Sequence, residues 1–100
     1  MFQGSIDRKL MSKKIRASAR GEDCSLRVSS KCQDGDTVVL CHLNSNYRGV
    51  GFKSPDIFSC YGCFYCHQAL DAGRVDYQDQ LRALQETQMK LLAKGLLIEN

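Results

Sequence analysis

Six cysteines in a chain of 100 residues are the side chains with the most chemistry on offer. Cys63-Phe64-Tyr65-Cys66 is a CxxC pair. Two intervening residues let a tight turn or a helix N-terminus present both sulfurs to one ion. The helix dipole and the metal together favour thiolate. Cys24 and Cys32, separated by seven residues in a polar stretch, supply a second pair. Zn²⁺ takes four thiolate or imidazole ligands in a tetrahedron, so Cys24, Cys32, Cys63 and Cys66 are the expected structural zinc set. The gap between the pairs would hold a strand–loop–strand insert. Cys60-Tyr61-Gly62-Cys63 is a second CxxC, so Cys60 could replace one of the four, as could His67. Otherwise Cys41 and Cys60 read as small apolar residues on buried strands. Two disulfides, or scattered core thiols, are the other reading of the whole set.

The two histidines, His42 and His67, are the next candidates. His42 closes an apolar stretch, and His67 follows Cys66 directly. Asp71 lies four residues beyond His67, on the same face if the segment is helical. A His/Asp pair at that spacing can hold a divalent cation. An imidazole on a facing strand can act as general base on a water, because its ordinary pKa lies near neutrality. A base and a metal together are what phosphodiester hydrolysis requires. The bland alternatives are a hydrogen-bonded core or surface histidine for His42 and a residue supporting the zinc ligands for His67.

Elements must exist to position these groups. A chain of 100 residues makes one small domain with a modest core. Residues 1–12 read as a flexible lead-in and 13–100 as a single domain. No apolar run of 18 residues is present, and the N-terminus lacks the apolar region of a signal peptide. A cytoplasmic location is therefore expected, and with it metal rather than disulfides. Lys13–Arg20 reads as a short helix or basic arm ended by Gly21. A cysteine-bearing loop from Cys24 to Asp36 follows, with a turn at Asp34-Gly35-Asp36. Thr37–Leu43 reads as the best strand, residues 44–55 as a polar loop, and Asp56–Cys60 as a second strand. Cys63–Ala72 reads as a helix stopped by Gly73, and Tyr77–Lys94 as a longer helix stopped by Gly95. Leu96-Leu97-Ile98 would be a final strand or an apolar tail packing back. A zinc would add folding free energy to so small a core.

In that order and spacing the chain resembles the HNH endonuclease superfamily. The features that carry this are paired cysteines, a strand ending in His42, a loop, then Asp56 seven residues before Cys63-Phe64-Tyr65-Cys66-His67. More narrowly, Ala19-Arg20-Gly21 with Cys24, Leu40-Cys41-His42-Leu43 and Cys63–Asp71 resemble the small lambdoid-prophage nucleases of the YbcO type. The resemblance covers roughly residues 13–98. It implies an α+β fold: a small zinc-braced ββα-metal (His-Me finger) domain with an added C-terminal helix. It places His42 on the general base and His67 on the helix-borne histidine, a ligand of a catalytic metal with Asp71. Asp56 falls where HNH proteins usually carry an Asn that orients the base loop. Another departure is Cys41, which stands where many HNH enzymes place an Asp or His metal ligand.

The charge distribution suits a nucleic-acid partner. Residues 1–20 carry about +5 and the other 80 about −2. Lys13, Lys14, Arg16 and Arg20 in the arm, with Arg48 and Lys53 in the 44–55 loop, are the expected phosphate contacts. Such contacts carry no sequence readout. The expected function is a metal-dependent DNA endonuclease with a structural zinc and a catalytic magnesium, manganese or nickel. Neither a membrane nor a small-molecule cofactor is expected. The alternatives are a non-catalytic zinc-binding nucleic-acid module, motivated by Cys41 and Asp56, and a zinc-stabilised interaction protein built on the 77–94 helix.

Overall fold

The computed structural model describes residues 13–44 and 55–98. Residues 13–17 are helical (α1) and run into a turn over 18–21. An irregular cysteine-bearing stretch leads to strand β1, Val39–His42, which pairs antiparallel with β2, Ser59–Gly62. Cys41 stands opposite Cys60 and His42 opposite Ser59. Helix α2 spans Phe64–Asp71 and helix α3 spans Tyr77–Ala93. The result is a small α+β fold with a two-stranded sheet.

The helix ends follow local rules. The Asp76 carboxylate caps α3 by accepting from the Asp79 N–H at 2.9 Å. After α2, Gly73 takes φ +73°, and its N–H bonds the Leu70 carbonyl while Arg74 N–H reaches the Ala69 carbonyl. That left-handed residue closes the orphan carbonyls without a Cβ penalty. The same pair of bonds closes α3, from Gly95 to Leu92 and from Leu96 to Leu91.

Several expected boundaries shift: the first strand is Val39–His42 rather than Thr37–Leu43, and helix α1 ends at residue 17 rather than at Arg20. The second strand lies at Ser59–Gly62 rather than Asp56–Cys60. Phe58 N–H bonds the Pro55 carbonyl at 2.9 Å, so residues 55–58 form a turn and pairing begins only with Leu43 N–H on the Phe58 carbonyl. Residues 96–98 form no strand; Leu96 donates its N–H to the helix cap, and Leu96 and Leu97 pack back on the core.

The core gathers Leu26, Val38, Tyr61 and Leu91 with Cys24, Cys41, Cys60, Cys63 and Cys66. Helix α3 lies along β2. Buried Thr87 accepts from Tyr61 N–H at 3.0 Å, and Ser25 N–H reaches the Tyr61 carbonyl at 2.8 Å. The outward-facing N–H and carbonyl of Tyr61 on β2 are thereby satisfied without a third strand. Tyr61 also hydrogen-bonds Ser18 through its hydroxyl, tying the α1 end to the sheet. No described helix is long and apolar enough to cross a membrane.

Candidate metal centre and active site

The Sγ atoms of Cys24, Cys32, Cys63 and Cys66 all lie within 4.8 Å of one another. A tetrahedral zinc with Zn–S bonds of about 2.3 Å needs sulfurs about 3.8 Å apart, so the cluster has the right size. All six cysteines are free thiols. Local bonds hold the cysteine-bearing segments. Cys24 N–H donates to the Asp34 carboxylate at 2.8 Å, and Arg82 of α3 clamps the next two carbonyls, Ser25 and Leu26, both at 2.7 Å. Cys63 N–H points at Cys24 Sγ (3.3 Å) and Val28 N–H at Cys66 Sγ (3.4 Å).

Charge separates the four thiols. Burial opposes the Cys63 thiolate, but N–H donors of Gln33 and Cys66 and the thiols of Cys66 and Cys24 outweigh it and bring its pKa down to about 7. Burial, then the crowding of neighbouring thiols, pushes Cys32 well up, and burial raises Cys66 as well. Four clustered thiolates need a cation to coexist, and an all-thiolate set of four suits zinc. Among the described residues this is the one cluster of three or more metal-capable side chains, and it includes neither Cys60 nor His67. Cys41 and Cys60 are fully buried opposite one another on the sheet. Burial raises both thiols, Cys60 to about 12. The Cys41 thiol faces the Val39 and Gly62 carbonyls at 3.7 and 3.8 Å, so it is a core group.

The second constellation sits at the end of β1. His42 Nε2 lies 2.5 Å from Asp56 Oδ1, and the other carboxylate oxygen lies 3.2 Å from Arg16 Nε on α1. The 55–58 turn delivers Asp56 to this place. A carboxylate on Nε2 holds a proton there and leaves Nδ1 as the acceptor of the neutral ring. On α2, His67 Nε2 and Asp71 Oδ2 are 3.6 Å apart and both accessible. His42 and Asp71 line one open cleft of about 470 Å³, together with Asp76, Tyr77 and Gln80. His67 is not part of that lining.

Residues 13–95 match the sequence profile of a family described as "Putative nuclease YbcO". The chain belongs to the YbcO family. It is 29% identical over 92 residues to "Putative nuclease YbcO" of Escherichia coli (strain K12), covering 83% of this chain and 95% of that protein. The figures are the same for "Putative nuclease ybcO" of Enterobacteria phage 82. A solved structure described as "Structure of a putative bacteriophage protein from Escherichia coli str. K-12 substr. MG1655" superposes with a TM-score of 0.62 at 27% identity. It covers 82% of this chain and 100% of that one. The stretch matched to the YbcO family contains the cysteine cluster, the His42–Asp56 pair and the His67–Asp71 pair.

The basic residues of this YbcO-family chain divide by partner. Arg16 faces Asp56, Arg27 pairs with Glu86, Arg82 with Asp79 and Glu86, and Lys90 and Lys94 with Glu22. Lys13, Lys14 and Arg20 are exposed and form no ion pair among the described residues. Arg48 and Lys53 lie outside the described residues, as do residues 1–12. Sequence reasoning passed over Lys31, Arg74 and Arg82. A Lys beside a clustered cysteine and an Arg just past a helix-ending glycine were the available signals for the first two. Arg82, within the helical run, offered none.

Proposed function

We propose that this YbcO-family protein is a metal-dependent endonuclease that hydrolyses DNA phosphodiester bonds in the cytoplasm, with His42 as general base. The observation that carries this reading is the Asp56 carboxylate on His42 Nε2, at a cleft that Asp71 also lines. With Nε2–H held, Nδ1 takes a proton from water. The water oxygen then attacks phosphorus, the bond to the leaving sugar oxygen breaks, and that oxygen takes up a proton from solvent to become a hydroxyl. Asp56 orients the imidazole and balances the charge it gains. His67 and Asp71 would hold a magnesium, manganese or nickel ion, which supplies stabilisation of charge on the phosphate oxygens when bound. Their 3.6 Å separation fits two ligands of one ion, and the imidazole favours a transition metal over magnesium. Cys24, Cys32, Cys63 and Cys66 would hold a structural zinc. The order β1, β2, α2 supports the zinc-braced ββα-metal architecture of HNH enzymes, with α3 added. Residues 13–100 would work as this one domain. Lys13, Lys14 and Arg20 would steer the DNA.

Supercoiled plasmid treated with zinc-loaded protein and added Mg²⁺, Mn²⁺ or Ni²⁺ should be cut. His42→Ala should abolish cutting. Undiminished cutting by purified His42→Ala protein would overturn the assignment of the base. One observation favours a second reading, a non-catalytic zinc-binding nucleic-acid module. Cys41, where many HNH enzymes carry a metal ligand, is turned into the core. Salt-sensitive DNA binding without turnover under any of the three metals would select that reading.

A further inference from the structure

Helix α2 has two grooved faces. Residues 70 and 71 face the His42 cleft. Tyr65 and Gln68, at helical spacing on the opposite side, line a second open groove of about 470 Å³ with Ser29, Ser30, Lys31 and Arg74. Its lining contains two cations, hydroxyls and an amide, and no carboxylate. Lys31 and Arg74 are exposed and, among the described residues, form no ion pair. The other cations of the cysteine loop, the α2–α3 turn and α3 that the structure describes all have acid partners.

The groove is built rather than incidental. Lys31 precedes the ligand Cys32, and Tyr65 precedes the ligand Cys66. Val28 N–H on Cys66 Sγ joins the two walls, and Lys31 N–H bonds Ser29 Oγ at 3.1 Å. Lys31 Nζ stands 5.6 Å from the centre of the Tyr65 ring, a cation–π contact that holds the ammonium over the groove. The Arg74 backbone is anchored by its N–H on the Ala69 carbonyl at the end of α2.

We infer that this groove is a second backbone-binding subsite for DNA, in which Lys31 and Arg74 each contact a phosphate. Resting on the nuclease reading for its ligand, it divides α2 between chemistry on the His67–Asp71 side and anchorage on the Lys31–Arg74 side. The cysteine cluster then shapes a binding surface as well as bracing the fold. Contacts of this kind hold the duplex in place without reading its sequence.

The test is binding of a fluorescein-labelled DNA duplex, followed by anisotropy across a salt series. The chain carries His42→Ala throughout, so that the DNA stays intact. Each lost phosphate contact lowers the slope of log K against log salt by about 0.9. Lys31→Gln/Arg74→Gln should therefore flatten the slope by about 1.8 and weaken binding about tenfold at moderate salt. Arg74→Gln alone should give about half the change in slope. Zinc content and far-UV circular dichroism should match the parent. Lys90→Gln/Lys94→Gln, which removes the same charge from residues paired with Glu22, should keep the parental slope. An unchanged slope in the Lys31/Arg74 variant, or an equal loss in the Lys90/Lys94 variant, overturns the subsite and leaves the nuclease reading standing. A parent chain that binds no DNA at low salt overturns both. DNA binding with the predicted slopes but no plasmid cutting by the unsubstituted chain supports the subsite and counts against catalysis.

Discussion

Asp56 reaches His42 Nε2 at 2.5 Å from fourteen residues further along the chain, and Arg16 holds the other oxygen of the same carboxylate. The Asp56 carboxylate is thus the middle of a chain of contacts that starts on α1 and ends with the imidazole at the cleft. If His42 is the base, Asp56→Ala should lower the plasmid-cutting rate by about a hundredfold or more. Asp56→Asn keeps an acceptor oxygen and should lose less. Arg16→Gln, which reaches the imidazole through Asp56, should lose least in the single-turnover rate. Single-turnover nicking rates for the three variants check that order.

Zinc content should separate the cysteines into two classes. Cys24→Ser or Cys63→Ser should lose the metal and much of the fold, because a structural zinc supplies several kcal/mol of folding free energy. Cys41→Ala should keep one zinc per chain and cost about 1 kcal/mol as a small core truncation. Metal analysis by atomic emission alongside thermal melts distinguishes the two.

Gly62 is where β2 meets its neighbours most closely. A Cβ there would come 2.7 Å from Cys41 Sγ and 2.9 Å from Leu26 Cδ1. Gly62→Ala should cost about 1–3 kcal/mol in urea unfolding. Adding Cys41→Ala removes the nearer obstacle, so the double variant should be more stable than the sum of the two single losses predicts.

Thr87 carries the contact between α3 and the sheet. Thr87→Val preserves shape but leaves Tyr61 N–H buried without an acceptor, at a cost of about 1–3 kcal/mol. Thr87→Ser keeps the hydroxyl and should lose much less. Urea midpoints of the two variants provide the comparison.

Acid should weaken the fold through two carboxylates. The hydrogen bond from Lys94 holds Glu22 below its ordinary 4.5, and that from Arg27 does the same for Glu86. The unfolded chain therefore takes up these protons at higher pH than the folded one. Their stabilisation is complete above 4.5 and is lost as pH falls through the lowered folded values. Both pairs are partly exposed, so each effect is modest and weakened by salt. Glu22→Gln/Glu86→Gln should flatten the acid limb of urea midpoints measured from neutral pH down to about pH 3.

Contacts that stay within a turn or one helix were legible in the sequence. The i, i+4 placement of His67 and Asp71, the glycines that close α2 and α3, and the helical run from Tyr77 follow from local periodicity and capping chemistry. The cysteine set was legible too: the paired spacings give Cys24, Cys32, Cys63 and Cys66, the same four sulfurs that cluster, with Cys60 left as a buried strand residue.

Only the tertiary structure decided the rest. The Asp56–His42 distance depends on the turn at Pro55 displacing the start of β2 to Ser59. As a site residue, Asp56 is marked in the sequence solely by the resemblance to HNH proteins. The Arg82 clamp on the cysteine loop depends on how α3 is rotated against β2. That Lys31 and Arg74 line one groove depends on the folded loop meeting the end of α2. Each joins segments far apart in the chain. Spacing along a sequence records which residues share a turn or a face, whereas register and helix rotation, set by packing the whole core at once, determine which distant side chains meet.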